Sequence, residues 1–265
     1  MKTLFQAAII VALFFAMWFS LSKIDWVKIF KVEQIANTTE RKIGDLFWDL
    51  YDKAGKEIKF EKVSVPIDSI LSKICEANGI DNSKIKLHVI KDAEVNAFAL
   101  PNNHLVINSG LILACENESE LAGVIGHEIA HMELDHVMKK LSKEVGLSVL
   151  ISMTSGNVGS DKIKEAVKLL SSSAYDRTLE KAADIKAVDY LVKSNIDPEP
   201  FANFLYRLSA KDSETAAYFS WISTHPDSKE RAEYLIQYGS KKVKKTEPVL
   251  SIFTWDRLKE YLEAE

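Results

Sequence analysis

The sequence predicts an α+β fold in which helices dominate, with a small β-sheet beside one long helix and a single transmembrane helix at the N-terminus. Three observations carry that expectation. Long runs such as 117–133 and 174–193 follow helical periodicity, with few breakers inside them. Three short β-prone runs, Lys86–Ile90, Val95–Leu100 and His104–Asn108, follow one another closely, the last two separated by the turn-forming Pro101-Asn102-Asn103. The stretch Leu4–Leu21 is apolar apart from Gln6 and Ser20, about the length that crosses a bilayer. A chain of 265 residues, 47% of them apolar, suits one sizeable domain plus an appendage. Its net charge of −4 gives no sign of a nucleic-acid surface.

The elements follow in order. Residues 1–26 read as a membrane anchor. The rival is a secretory signal peptide cleaved near Ser20-Leu21-Ser22, but the apolar run is long for one. Lys23, Lys28 and Lys31 after the span weaken the positive-inside argument, and Trp18 and Trp26 suit either an interface or a core. Residues 27–240 form the main domain, with its centre at 85–235. Val27–Ile80 is helical, and Val65-Pro66-Ile67-Asp68 looks like a helix entry whose inner stripe is Ile70, Leu71 and Ile74. The cysteines, Cys75 and Cys115, either pair or remain buried thiols. His88 and His104 read as structural or solvent-facing. Asn117 and Glu120 have capping-box spacing and open a helix whose apolar side is Leu121, Val124, Ile125, Ile129 and Met132. Gly123 and Gly126, poor helix formers, would let another backbone approach it closely. Lys139–Ile151 continues as helix, and Ser152–Ser160 breaks it as an interhelical loop or a lid. Ala174–Lys193 is helical, Asp197-Pro198-Glu199-Pro200 opens another helix, and Thr224-His225-Pro226-Asp227 starts the helix carrying Arg231. In 241–265 the basic run Lys241–Lys245 is a solvated linker or an anionic-lipid contact. It precedes an amphipathic helix with Ile252, Phe253, Leu258 and Leu262, packed on the body.

The chemistry lies in His127-Glu128-Ile129-Ala130-His131. On a helix, i and i+4 share a face, so both imidazoles can meet one metal ion. Glu128 lies off that face and can act as general base on a water at the metal. A third protein ligand must come from elsewhere. One layout with a downstream histidine needs Gly at 134 and His at 137, where Leu134 and Val137 stand. His136 misses that place by one residue and points away from the His127/His131 face. The reversed HxxEH order is absent. A later helix offers Glu180 and, one turn on, Asp184, placed so that Glu180 binds the metal while Asp184 accepts a hydrogen bond from a liganding ring.

Together with Glu180-x-x-Ala183-Asp184, His225-Pro226 with Glu230-Arg231, and Val95–Pro101 followed by His104–Leu111, this motif resembles the gluzincin peptidases of the CAAX prenyl protease, HtpX and Oma type. That family includes periplasmic bacterial members, and the likeness covers roughly residues 85–235. It implies a zincin-like metallopeptidase domain with His127, His131 and Glu180 as ligands of one zinc ion, Glu128 as base and Asp184 behind the ligands. His225 and Arg231 match positions that contact substrate or the developing oxyanion, although in some relatives a histidine here caps the zinc.

Asn96, Ala97, Phe98 and Ala99 would hold an extended polypeptide by main-chain pairing, since Ala97 and Ala99 leave room for close approach. A core hairpin is the alternative. The expectation is a zinc metalloendopeptidase for extended or misfolded proteins in the bacterial inner membrane, with its catalytic domain in the periplasm. A chaperone-like factor of the same fold is the main alternative, and a zinc hydrolase with a non-peptide substrate is a weaker one. Two imidazoles and a carboxylate favour zinc, though cobalt or manganese can substitute.

Overall fold

The computed structural model describes residues 32–53, 56–210, 221, 223–242 and 245–264. The span expected at Leu4–Leu21 lies outside them; among the described residues no helix is long and apolar enough to cross a membrane. The chain divides at Glu40/Arg41 into two compact units, and helix α1, Val32–Asp52, runs across that boundary. The second unit holds every other described element.

Helix α2, Glu61–Asn78, buries Ile67, Ile70, Leu71 and Ile74, the stripe expected from the sequence. It starts at Glu61, so Pro66 sits inside it rather than at its entry. Barely more than one turn in, a missing N–H removes a single helical bond, and the buried stripe outweighs that loss. Strands β1 (Lys86–Ile90), β2 (Ala97–Leu100) and β3 (His104–Asn108) form a sheet in the order β1-β3-β2. β1 runs parallel to β3 with Lys86 opposite His104, and β2 is antiparallel to it. The β2–β3 turn places Asn102 and Asn103 at φ 63° and 57°, a left-handed conformation that asparagine tolerates. The pleat sends Val89, Ala97, Leu105 and Ile107 into one core and Ile90, Phe98, Leu100 and Val106 into the other.

After α3 (Ser109–Ala114) comes α4, Glu118–Glu133, buried along almost its whole length. The Glu120 N–H donates to the Asn117 side chain at 3.1 Å, one half of the expected capping box. Glu120 itself accepts from the Glu116 N–H rather than that of Asn117, and also pairs with Arg207. Helix α5 (His136–Val145) ends at Gly146, whose φ of +87° separates it from α6 (Leu147–Thr154); the sequence had suggested one continuous helix. A short turn leads to α7, Ser160–Ser172. Helices α8 (Arg177–Lys193) and α9 (Glu199–Ala210) pack on α4, and α10 (Ser228–Gly239) packs on both. The last helix, α11 (Ile252–Ala264), buries Trp255, Leu258 and Leu262 against α2 and α3, but Ile252 and Phe253 face solvent rather than the body.

One further expectation is corrected. A Cβ on Gly123 would lie 2.3 Å from the Phe201 side chain, so a ring, not a backbone, fills that approach. At Gly126 the expected backbone does approach, the Cα and carbonyl oxygen of Ala187 lying 3.8 Å from where a Cβ would stand. Cys75 and Cys115 are both free and buried, and burial pushes the Cys75 thiol up to about 12. His88 and His104 are structural. They share a sheet face, with His88 Nε2 3.0 Å from His104 Nδ1, and Trp48 of α1 stacks on His88 at 3.4 Å between centroids.

Candidate active site

α4 and α8 cross so that two i, i+4 pairs face each other: His127 and His131 on one, Glu180 and Asp184 on the other. His131 Nε2 lies 3.3 Å from Glu180 Oε1 and His127 Nε2 lies 3.7 Å from Glu180 Oε2. His225, from the segment before α10, brings Nδ1 to 3.0 Å from Glu180 Oε1 and 3.3 Å from His127 Nε2. Ligand atoms of His127, His131, Glu180 and His225 all fall within 4.8 Å of one another, and all four residues are buried.

Asp184 stands behind this cluster. Its Oδ1 is 2.9 Å from His127 Nδ1, which holds the ring hydrogen on that side and turns the Nε2 lone pair inward. Arg231 of α10 grips both Asp184 oxygens from Nε and Nη2, at 2.8 and 2.7 Å, and Tyr234 donates to the same carboxylate. The remaining guanidinium nitrogen, Nη1, is 2.8 Å from Glu180 Oε2 and donates to the His225 carbonyl at 3.2 Å. Burial by itself would raise both carboxyl groups, but Arg231 and His127 together outweigh it at Asp184, and Arg231, His225 and His131 together do so at Glu180. Both are thereby held below the usual carboxylate range, Glu180 well below it. Burial lowers the imidazoles too, His131 and His225 to about 4. The centre thus contains an ionised carboxylate facing neutral rings.

This donor set fits a metal ion. His127 Nε2 and His131 Nε2 approach to 3.0 Å, and an inward-facing lone pair beside a deprotonated carboxylate lacks a donor that a cation would replace. Glu128 lies beside the cluster, with His225 Nε2 3.5 Å from its Oε1. No side chain donates a close hydrogen bond to either Glu128 oxygen. Burial, aided by the Glu180 charge, lifts its carboxyl to about 8; Lys140 and the Ala99 amide offset this only in part.

Of the residues expected at the site, β2 lies against α4, yet Asn96, Ala97, Phe98 and Ala99 are all buried. Asn96 donates to the Ser171 carbonyl at the end of α7. Other side chains close the centre without having been expected there. Tyr175 stacks on His131 at 4.0 Å, Lys140 lies over Tyr175 at 4.0 Å, and Trp221 stacks on His225 at 4.2 Å. His136, expected to point away, places Nδ1 3.1 Å from His131 Nδ1. The reason is local: the chain leaves helical geometry at Asp135, with φ +56°, so a helical wheel does not carry across to residue 136. Tyr234 had a signal, its place three residues after Arg231 on one helix face; Tyr175 and Trp221 had none.

The family model for peptidase family M48 matches residues 62–238, spanning the sheet, α4, α8 and most of α10. The chain belongs to peptidase family M48. Within that family it is 24% identical over 207 residues to the mitochondrial metalloendopeptidase OMA1 of Schizosaccharomyces pombe, covering 77% of this chain and 61% of that protein. It is 29% identical to the metalloprotease LoiP of Escherichia coli, covering 70% and 77%. It is 26% identical to the beta-barrel assembly-enhancing protease of Yersinia pestis, covering 58% and 34%. The chain therefore spans about three fifths of the yeast relative and a third of the Yersinia one.

Proposed function

We propose that the chain is a membrane-anchored zinc metalloendopeptidase acting on extended or misfolded polypeptides, with His127, His131 and Glu180 as the metal ligands. The observation that carries this reading is the convergence of those three side chains, with Glu180 far from the others in sequence, beside the buried Glu128. Residues 1–26 serve as the anchor, 27–240 as the peptidase domain, and 241–265 as a basic linker and closing helix. The setting is the bacterial inner membrane with the domain in the periplasm, a placement that rests on the apolar N-terminal run and the family likeness.

Bound zinc would supply Lewis acidity at the scissile carbonyl and acidity at the attacking water. The protein's own groups do the rest. Glu128 takes a proton from that water on a carboxylate oxygen and passes it to the departing amide nitrogen. Glu128 must be ionised to take the proton: burial opposes this by lifting its carboxyl to about 8, the positive charge of a bound cation would offset it, and the protonated form then serves as the donor. Asp184 fixes the His127 ring, and Arg231 fixes Asp184 and Glu180, a positioning role reached without touching substrate. Asn96 and the first three residues of β2, Ala97, Phe98 and Ala99, orient the peptide by main-chain pairing once the α7 end moves aside.

A second reading has its own observation. His127, Glu128, His131, Glu180 and His225 are at most 2% exposed, and His225 lies among the ligand atoms themselves. That arrangement suits a latent enzyme, or a chaperone-like assembly factor, with His225 as the cap. Incubating the purified chain with unfolded casein, with and without chelator and beside Glu128→Gln, separates the readings. Chelator-sensitive cleavage lost in the variant supports the peptidase. Stoichiometric zinc with no cleavage, but with suppressed aggregation, supports the factor.

A further inference from the structure

His131 uses its two ring nitrogens differently. Nε2 faces the cluster, 3.3 Å from Glu180 Oε1, while Nδ1 faces outward, 3.1 Å from Nδ1 of His136. We propose that His136 is a positioning residue for the metal centre, its Nδ1 accepting the Nδ1–H of His131 and so holding that ring with Nε2 inward. This rests on the reading of His131 as a ligand.

Hydrogen counting decides which ring nitrogen bears the proton. A neutral imidazole has a single N–H, so a ring that presents a lone pair at Nε2 carries its hydrogen on Nδ1. That hydrogen then needs an acceptor, and the one in contact is His136 Nδ1. His136 must accordingly keep its own hydrogen on Nε2. Geometry holds the pair in place. A residue five places along an unbroken helix lies about 140° round from the first and could not touch it. Here α4 ends with the Leu134 N–H bonded to the Ala130 carbonyl, and Asp135 turns at φ +56°. Lys139 Nζ caps the Leu134 carbonyl at 2.8 Å. The turn swings His136 back against the helix it has just left. The ring is 3% exposed and meets His131 edge-on, with centroids 5.0 Å apart. The two ligand rings therefore have unlike supports: an anionic carboxylate behind His127 and a neutral imidazole behind His131.

The test measures the zinc dissociation constant of the full chain in detergent by competition with a chromogenic chelator, well below the melting temperature. His136→Leu removes the acceptor and His136→Ala does so without added bulk; either is expected to weaken zinc binding about 10–100-fold. His136→Asn places an acceptor oxygen near the position of Nδ1 and is expected to bind close to wild type, a rescue that packing alone does not produce. Wild-type affinity in the Leu and Ala variants overturns the proposal, as does an Asn variant weakened equally with them. If those results appear while Glu180→Ala still loses zinc, only the His136 role fails. A wild-type chain that binds no zinc overturns both this role and the reading beneath it.

Discussion

Arg231 and Asp184 form a two-pronged ion pair in which Nε and Nη2 each donate to a separate carboxylate oxygen, at 2.8 and 2.7 Å, with both side chains buried. Removing one member of such a pair leaves the other charged and uncompensated. In Arg231→Leu, both Asp184 and Glu180 lose their cation, and a loss of about 3–5 kcal/mol of folding stability is expected for the metal-free protein. Urea unfolding in the presence of chelator checks this. A loss below about 1 kcal/mol would place Arg231 in the class of surface pairs and contradict its clamping role.

Glu128 is the clearest target for separating chemistry from architecture. Glu128→Gln keeps the volume of the side chain and removes its ability to accept a proton. Cleavage of unfolded casein should fall by about 10²–10⁴, the usual contribution of a positioned base, with zinc content unchanged. Zinc loss in this variant would mean that Glu128 holds the metal instead.

Much of this architecture was legible in the sequence, but unevenly. The hairpin announced itself through Pro101-Asn102-Asn103, and the i, i+4 spacing on α4 and α8 set both pairs on defined faces. Local periodicity reaches that far. His136 escaped because Asp135 interrupts the helix. Closure of the site by Tyr175 and Trp221 escaped because stacking between distant segments leaves no periodic trace. Pro66 misled for another reason: a proline early in a helix removes one bond, which a buried stripe overrides.

The two glycines of α4 should behave oppositely. In a helix interior, alanine is favoured over glycine by about 1 kcal/mol. Gly126→Ala has room beside Ala187 and should be neutral or stabilising. Gly123→Ala drives a methyl to 2.3 Å from Phe201, where overpacking costs about 1–3 kcal/mol and so cancels or exceeds the propensity gain. Thermal melts of the two variants decide it, and equal shifts would contradict the close contact with Phe201.

His104 gives the fold a pH dependence away from the His127, His131 and Glu180 cluster. Burial, with help from Lys86, lowers its ring from 6.5 to about 4. Between those values the unfolded chain binds the proton more readily, so stability is complete above 6.5 and is lost as pH falls toward 4. The drop in melting temperature from pH 7 to pH 5 should be larger in the wild type than in His104→Gln. An identical drop in both would show that His104 is not held neutral.

The central claim is that Glu180 reaches across from α8 to complete a site begun by His127 and His131. Equilibrium zinc content after dialysis, measured on wild type and Glu180→Ala side by side, tests it most directly. One zinc per wild-type chain, lost or greatly reduced in a variant that still folds, is the predicted result. Full zinc occupancy in folded Glu180→Ala would contradict it.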